Sequence, residues 1–349
     1  MKTYLRPTAF VDTPVGFDGQ VARLAGGMSF FSAYEVIAVE SGRRVSSTLV
    51  PVDRIDDHPA VGRITAPRAP LVLGARTIRL DQPQVMGILN MTPDSFSDGG
   101  KYGDDVEAAA IVGFAMEAAG AAIIDVGGES TRPGAKPVWE GDEIKRTQPV
   151  IERLARGGAT VSIDSRKASV MEAALMAGAV IVNDVSALSF DKQALALMAH
   201  SRCPVIIMHS PDAAKTLHDG PAAADPLIET YQWLEARIDT VVAAGIDRSR
   251  IIIDPGIGFG KSVTANLAIL NGLALFHGLG CPILLGASRK RFIGALSNEA
   301  PVEARLGGSI AVAMKAAEQG AQIIRVHDVP ETVQALRVWR GMRDQGLAG

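Results

Sequence analysis

Asn90, Asp125, Asp164, Asn183 with Asp184, His209, Asp254, Ser288 and His327 share one context: each lies at the end of a short apolar run. The runs read "VMGILN", "AAIIDV", "ATVSID", "AVIVND", "CPVIIMH", "RIIIDP", "CPILLGAS" and "AQIIRVHD". A single polar residue in such a place is most simply a helix cap. Repeated at every run, the same switch gathers carboxylates, amides and imidazoles around one cavity. An acceptor-only carboxylate such as Asp164 beside an amide such as Asn183 can read a heterocycle that displays N–H donors next to a carbonyl.

A second group of residues suits anions. Thr131 and Arg132, in "IIDVGGESTRPGA", offer a hydroxyl and a guanidinium fork after a glycine pair. "GASRKRFIG" brings Ser288, Arg289, Lys290 and Arg291 together. Cations at a helix start oppose its macrodipole, so at least one of them is expected to face a ligand. Arg325 and His327, two residues apart on one side of the last run, suggest phosphate binding. Mg²⁺, which takes one or two protein oxygens plus phosphate and water, could use Asn90 or Asp94. The glycines of "DPGIGFGK" match neither the dinucleotide fingerprint nor a P-loop. They read as a tight turn that holds Asp254 inward and presents Phe259 to the mouth. His209 fits a cavity position and a capping role equally.

The elements that must position these residues follow from the rhythm of the chain. Between the apolar runs lie Ala-rich segments at helical spacing, such as "VEAAAIVGFAMEAAG" and "KASVMEAALMAGA". Short strands alternating with helices imply parallel strands joined by right-handed crossovers. Eight such units in about 260 residues predict a (β/α)₈ barrel, whose active site forms at the C-terminal ends of the strands. The chain divides near residue 80. Residues 1–80 are expected to form an N-terminal α/β extension or an arm packed on the main body, of no legible function. Residues 81–349 are expected to form the barrel.

Composition narrows the classes of function. The formal net charge of −3 supplies no general basic surface for nucleic acid. Cys203 and Cys281 are the only cysteines and have no metal-binding spacing, which fits a reducing, cytoplasmic location. The N-terminus lacks the apolar core of a signal peptide. The longest apolar stretch is broken by Glu117 and glycines, so no membrane span is expected. No HExxH, GxSxG or Ser-His-Asp order supports a nucleophilic hydrolase.

Taken together, "GILNMTPDSFSDGG", "IIDVGGESTRPGA", "SIDSRK", "IVNDVSA", "DPGIGFGK", "GASRKRFIG" and "IIRVHDV" resemble the dihydropteroate synthase family in its order, over roughly Pro83 to Arg343. That resemblance implies displacement of pyrophosphate from 6-hydroxymethyl-7,8-dihydropterin diphosphate by p-aminobenzoate. It implies a pterin site of Asp125, Asp164, Asn183, Asp254 and Lys290, and a diphosphate site of Thr131, Arg132, Arg325 and His327. It also implies Mg²⁺ at Asn90, and a p-aminobenzoate site, open to sulfonamides, of Phe96, Thr131, Pro133, Phe259 and Ser288. Asn90, Asp125, Lys290, Arg325 and His327 would carry the reaction, and the loop after Asn90 would act as a lid. Small-molecule substrates and a homodimer are expected on the same grounds. Two departures stand out. "SPDAAKTLHDGP" after His209 lacks the family's glycine and methionine spacing, and Ser165 replaces a threonine. A related pterin-binding methyltransferase and a non-catalytic pterin binder are the rival readings.

Overall fold

The computed structural model describes residues 1–55, 57–91, 105–132, 134–220 and 223–348. The N-terminal part holds β1 (Lys2–Val11), β2 (Ala22–Arg23), β3 (Phe30–Glu40), β4 (Arg43–Pro51), α1 (Pro59–Thr65) and a hairpin of β5 (Leu71–Leu73) and β6 (Arg76–Ile78). There follow β7 (Gln84–Asn90), α2 (Val106–Ala119), β8 (Ile123–Gly127), α3 (Glu140–Arg156), β9 (Val161–Asp164), α4 (Ala168–Met176), β10 (Ile181–Asp184) and α5 (Ala194–His200). The chain continues through β11 (Val205–Met208), α6 (Pro226–Ala243), β12 (Ile251–Asp254), α7 (Val263–Asn271), β13 (Leu284–Gly286), α8 (Arg291–Leu296), α9 (Leu306–Glu318), β14 (Ile323–Val326) and α10 (Val329–Ala348).

Strands β7 to β14 form one parallel sheet in the order β12-β11-β10-β9-β8-β7-β14-β13. A parallel bridge between Ile253 and Ile283 joins its two ends. The sheet is therefore the expected (β/α)₈ barrel. The intervening helices start on side-chain caps where the chain supplies them. Asp105 accepts from the Ala108 N–H at 3.0 Å, and Asp225, just before Pro226, accepts from Ile228 at 3.2 Å.

The interior is layered by the two-residue period of a strand. Met86, Ile123, Ile181, Ile206, Ile252, Leu284 and Ile323 form a lower apolar layer, closed from below by Leu71, Leu73, Ile78 and Leu80 of the β5–β6 segment. Two positions farther along, the same strands present Ile88, Asp125, Asn183, Met208, Asp254, Gly286 and Arg325, with Asp164 from β9. Apolar packing thus gives way to polar groups within one step of the pleat.

Strands β1, β3, β2 and β4 make an antiparallel sheet that lies against α6 and the 3₁₀ turn Leu273–Leu279. The Tyr4 ring meets Tyr231 edge-on at 5.1 Å, and its hydroxyl accepts from Gln232 at 2.7 Å. Arg63 and Arg68 donate to the carbonyls of Gly278 and His277. Among the described residues, no helix is long and apolar enough to cross a membrane.

Candidate active site

At the C-terminal end of the barrel Asp125 is completely buried. Its Oδ2 accepts from Asn183 Nδ2 at 2.9 Å and from Arg325 Nε at 2.6 Å, while its Oδ1 has no partner among the described residues. The Arg325 fork reaches on to Asp164, with Nη2 2.7 Å from Oδ2. Burial opposes the charge on Arg325, but Asp125 and Asp164 outweigh it and hold the guanidinium protonated. Burial pushes Asp164 above the usual carboxylate range, Arg325 opposes that rise and Asp125 adds to it. Asn90 lies on the far side of Gly127 from Asp164. A methyl built on Gly127 would stand 3.5 Å from both Asn90 Oδ1 and Asp164 Cβ.

Asp254 is fixed by the loop that follows it. Its Oδ1 accepts from the Gly256 N–H at 2.7 Å. Gly256 has φ +69°, and a Cβ there would lie 1.9 Å from the His209 carbonyl oxygen, so only glycine fits. The turn carries Phe259, which packs against Met208 and Leu217. Lys290 lies 4.4 Å from the centre of the Phe259 ring and donates to the Ile257 carbonyl. Burial pulls its ammonium down to about 8, with Asp254 opposing.

Of the three cations in "SRKRF", only Lys290 turns to the cavity. Arg289 pairs with Asp328, with Nε 3.0 Å from Oδ2, and Arg291 is exposed. His327 and Ser288 meet at 3.1 Å between Nδ1 and Oγ. Burial pulls His327 down to about 4, and Arg325, Arg289 and Arg132 push the same way. The imidazole is neutral near pH 7, set among guanidinium groups. Thr131 is half-buried and Arg132 exposed on the loop after β8. Phe96, Pro133 and Asp94 lie outside the described residues.

Two strand-end residues turn away from the cavity. Asp184 follows the inward Asn183 and so points outward, where it accepts from Ser186 N–H at 2.7 Å and Leu188 N–H at 2.8 Å. His209 follows the inward Met208, and its ring meets Trp233 of α6 edge-on at 5.0 Å. Burial drops its pKa to about 2, with Lys261 adding to the effect.

Sequence reasoning missed three supports of the site. Lys261, within the rejected "GFGKS", donates to the carbonyls of Gly256, Phe259 and His209 at 2.8, 3.2 and 3.3 Å. Burial pulls it down to about 7, and Lys290 lowers it further. Glu129 accepts from Arg166 at 2.6 Å, from Lys167 at 2.5 Å and from the Val138 N–H at 3.0 Å, closing the loop that carries Thr131. Lys167 also reaches Glu143 at 2.6 Å. His218 contacts both Thr131 and Phe259. A carboxylate two residues before Thr131 and two cations after Asp164 were visible in the sequence, but their pairing was not.

For the implied metal, Asn90 supplies a hard, neutral oxygen at the rim. Among the described residues, no group of three His, Cys, Asp or Glu side chains forms a closed metal cage. Magnesium, which keeps water and takes phosphate oxygens with few protein ligands, fits such a rim.

The family profile described as "Pterin binding enzyme" matches residues 86–327. The dihydropteroate synthase of Escherichia coli (strain K12) is 45% identical over 263 residues, covering 75% of this chain and 92% of that protein. A Xanthomonas albilineans dihydropteroate synthase solved with 4-aminobenzoic acid is 46% identical, with TM-score 0.73 over 78% of this chain and 98% of the other. The same organism's enzyme in complex with 7,8-dihydropteroate is 43% identical, with TM-score 0.71 over 79% of this chain and 99% of the other. The profile over residues 86–327 and the relatives show that the chain belongs to the dihydropteroate synthase family of pterin binding enzymes.

Proposed function

We propose that this chain is a dihydropteroate synthase, a transferase that joins p-aminobenzoate to 6-hydroxymethyl-7,8-dihydropterin diphosphate and releases pyrophosphate and 7,8-dihydropteroate. The carrying observation is the cluster of buried Asp125, Asn183 and Asp254 with half-buried Asp164, Arg325 and Lys290 at the barrel's C-terminal end. Acceptors of this kind, one with an oxygen on Asp125 that is unpartnered among the described residues, suit the N–H edge of a pterin. Lys290 complements the ring's carbonyl.

The chemistry asks little covalent work of the protein. Thr131, Arg132, Arg325 and His327 hold the diphosphate, where the guanidinium charge favours its departure. Magnesium, bound through Asn90 and the diphosphate, would supply further charge neutralisation to the leaving group. As the C–O bond breaks, the electron-rich pterin shares the positive character of its methylene carbon. The aromatic amine, fixed beside Phe259 and Ser288, donates its lone pair to form the C–N bond, and the resulting anilinium loses its proton to water. Such a product acid is strong enough to need no tuned general base. Phe96 and Pro133 belong to the same proposed aromatic subsite. A cytoplasmic location, a homodimer and a division of the chain near residue 80 form part of this reading.

The test is pyrophosphate release by the purified chain given dihydropterin diphosphate and magnesium, with and without p-aminobenzoate. Release that rises with p-aminobenzoate, with dihydropteroate formed and activity lost to a chelator, is expected. No release from intact substrates would sink the assignment.

A further inference from the structure

The loop after β11 is tied to two other loops by a single side chain. His218 Nε2 lies 2.9 Å from the Thr131 carbonyl oxygen. A carbonyl only accepts, so Nε2 carries the proton and donates. The same ring lies face to face with Phe259, with centroids 5.3 Å apart and planes 6° apart. His218 therefore spans the loops after β8 and β12 while standing on a third.

Its own loop is built to hold it there. The Thr216 hydroxyl and N–H donate to Asp212 Oδ2 at 3.1 and 3.2 Å, and the Leu217 N–H donates to the Asp212 carbonyl at 2.9 Å. Leu217, with φ +67°, is 2% exposed and packs with Val185, Met208 and Phe259. The His218 carbonyl approaches Gly260 so closely that a Cβ there would lie 2.6 Å away. Across the contact, Lys261 anchors the Phe259 carbonyl. The His218 loop and the Phe259 end of the bridge are thus held by the chain's own bonds.

We propose that His218 is a positioning residue for the aromatic amine, setting the gap between Thr131 and Phe259 and the plane of the Phe259 ring. The assignment rests on the function proposed above, with Phe259 in the aromatic subsite and Thr131 shared between that subsite and the diphosphate. The pterin end of the cavity depends on strand residues that His218 does not touch. Its loss should therefore fall mainly on the second substrate.

Three variants separate the two contacts. His218→Ala removes both, His218→Gln keeps a donor for Thr131, and His218→Phe keeps the stack. The expected outcome for His218→Ala is a KM for p-aminobenzoate raised about tenfold, since small misplacements of a bound reactant are costly. The affinity for diphosphate-free pterin should change less than about threefold, and Gln and Phe should each recover part of the p-aminobenzoate loss. Equal losses for p-aminobenzoate and for diphosphate-free pterin, or none, would overturn the proposal. Hydrogen exchange at Thr131, Arg132 and Phe259 gives a readout independent of turnover. Faster exchange is expected in His218→Ala, and unchanged exchange would refute the bridge. A wild-type chain that makes no dihydropteroate would count against the function, leaving the exchange result to decide on His218.

Discussion

Arg325 Nη2 stands 2.7 Å from Asp164 Oδ2, so a residue expected to hold diphosphate is joined to a residue expected to hold pterin. The same guanidinium reaches Asp125 at 2.6 Å. One cation from the last strand thus bridges two carboxylates and links the two proposed halves of the site.

Arg325→Ala leaves Asp125 and Asp164 without their cation. Removing one partner from a buried ion pair costs about 3–5 kcal/mol. The urea midpoint should fall accordingly, and adding Asp125→Asn should recover part of it because one uncompensated charge disappears. Affinity for the pterin diphosphate should fall far more than for the diphosphate-free pterin. Calorimetry that finds equal losses for both would contradict a phosphate role.

The Lys290 ammonium, pulled down to about 8, sets a pH window for ligand binding. Below that value it is charged and attracts the carbonyl and the anionic substrate. As pH rises through 8 the charge is lost, so the Kd for pterin diphosphate should increase, and Lys290→Gln should flatten the profile. Stability has the opposite sign. Between about 8 and the ordinary lysine value of 10.5 the unfolded chain binds the proton that the folded chain has released. This group therefore makes stability rise with pH in that interval. An unaltered binding profile in Lys290→Gln would rule out the assignment.

Glu129 carries a side chain only 5% exposed, against 11% for Arg166 and for Lys167. Burial raises its pKa, but Lys167, the Val138 N–H and Arg166 together bring it below the usual glutamate value. Its stabilisation is present above the unfolded pKa and is lost as pH falls through the lower folded value. Glu129→Gln should cost about 3–5 kcal/mol, because it strips a buried partner from two cations. The loss should shrink on acidification, where the wild type also forfeits the charge. Denaturation midpoints at neutral and acid pH provide the check, and a constant difference between variant and wild type would disprove the linkage.

The eight strands and most of the pocket were legible because both obey local rules. Apolar runs of strand length flanked by helical spacing specify the barrel. Asp125, Asn183, Asp254 and Arg325 sit two residues beyond the plug layer, so the pleat alone turns them inward. The same parity excludes Asp184 and His209, whose neighbours Asn183 and Met208 take the inward places. Composition could not give that answer, since Asp184 and His209 are as polar as the strand ends that face the cavity.

What the sequence determined by itself was the periodic pattern: which segments become strands, where they end, and which residue types gather at the mouth. Tertiary structure decided the pairings. Arg325 meets Asp125 across 200 positions, Lys167 meets Glu129 across 38, and His218 meets Thr131 across 87. The docking of the antiparallel sheet of residues 2–51 on the Leu273–Leu279 turn belongs to the same class. Hydrophobic periodicity is written in neighbouring residues, whereas an ion pair or a stacked ring depends on closure of the barrel, which alone brings distant loops within hydrogen-bond reach.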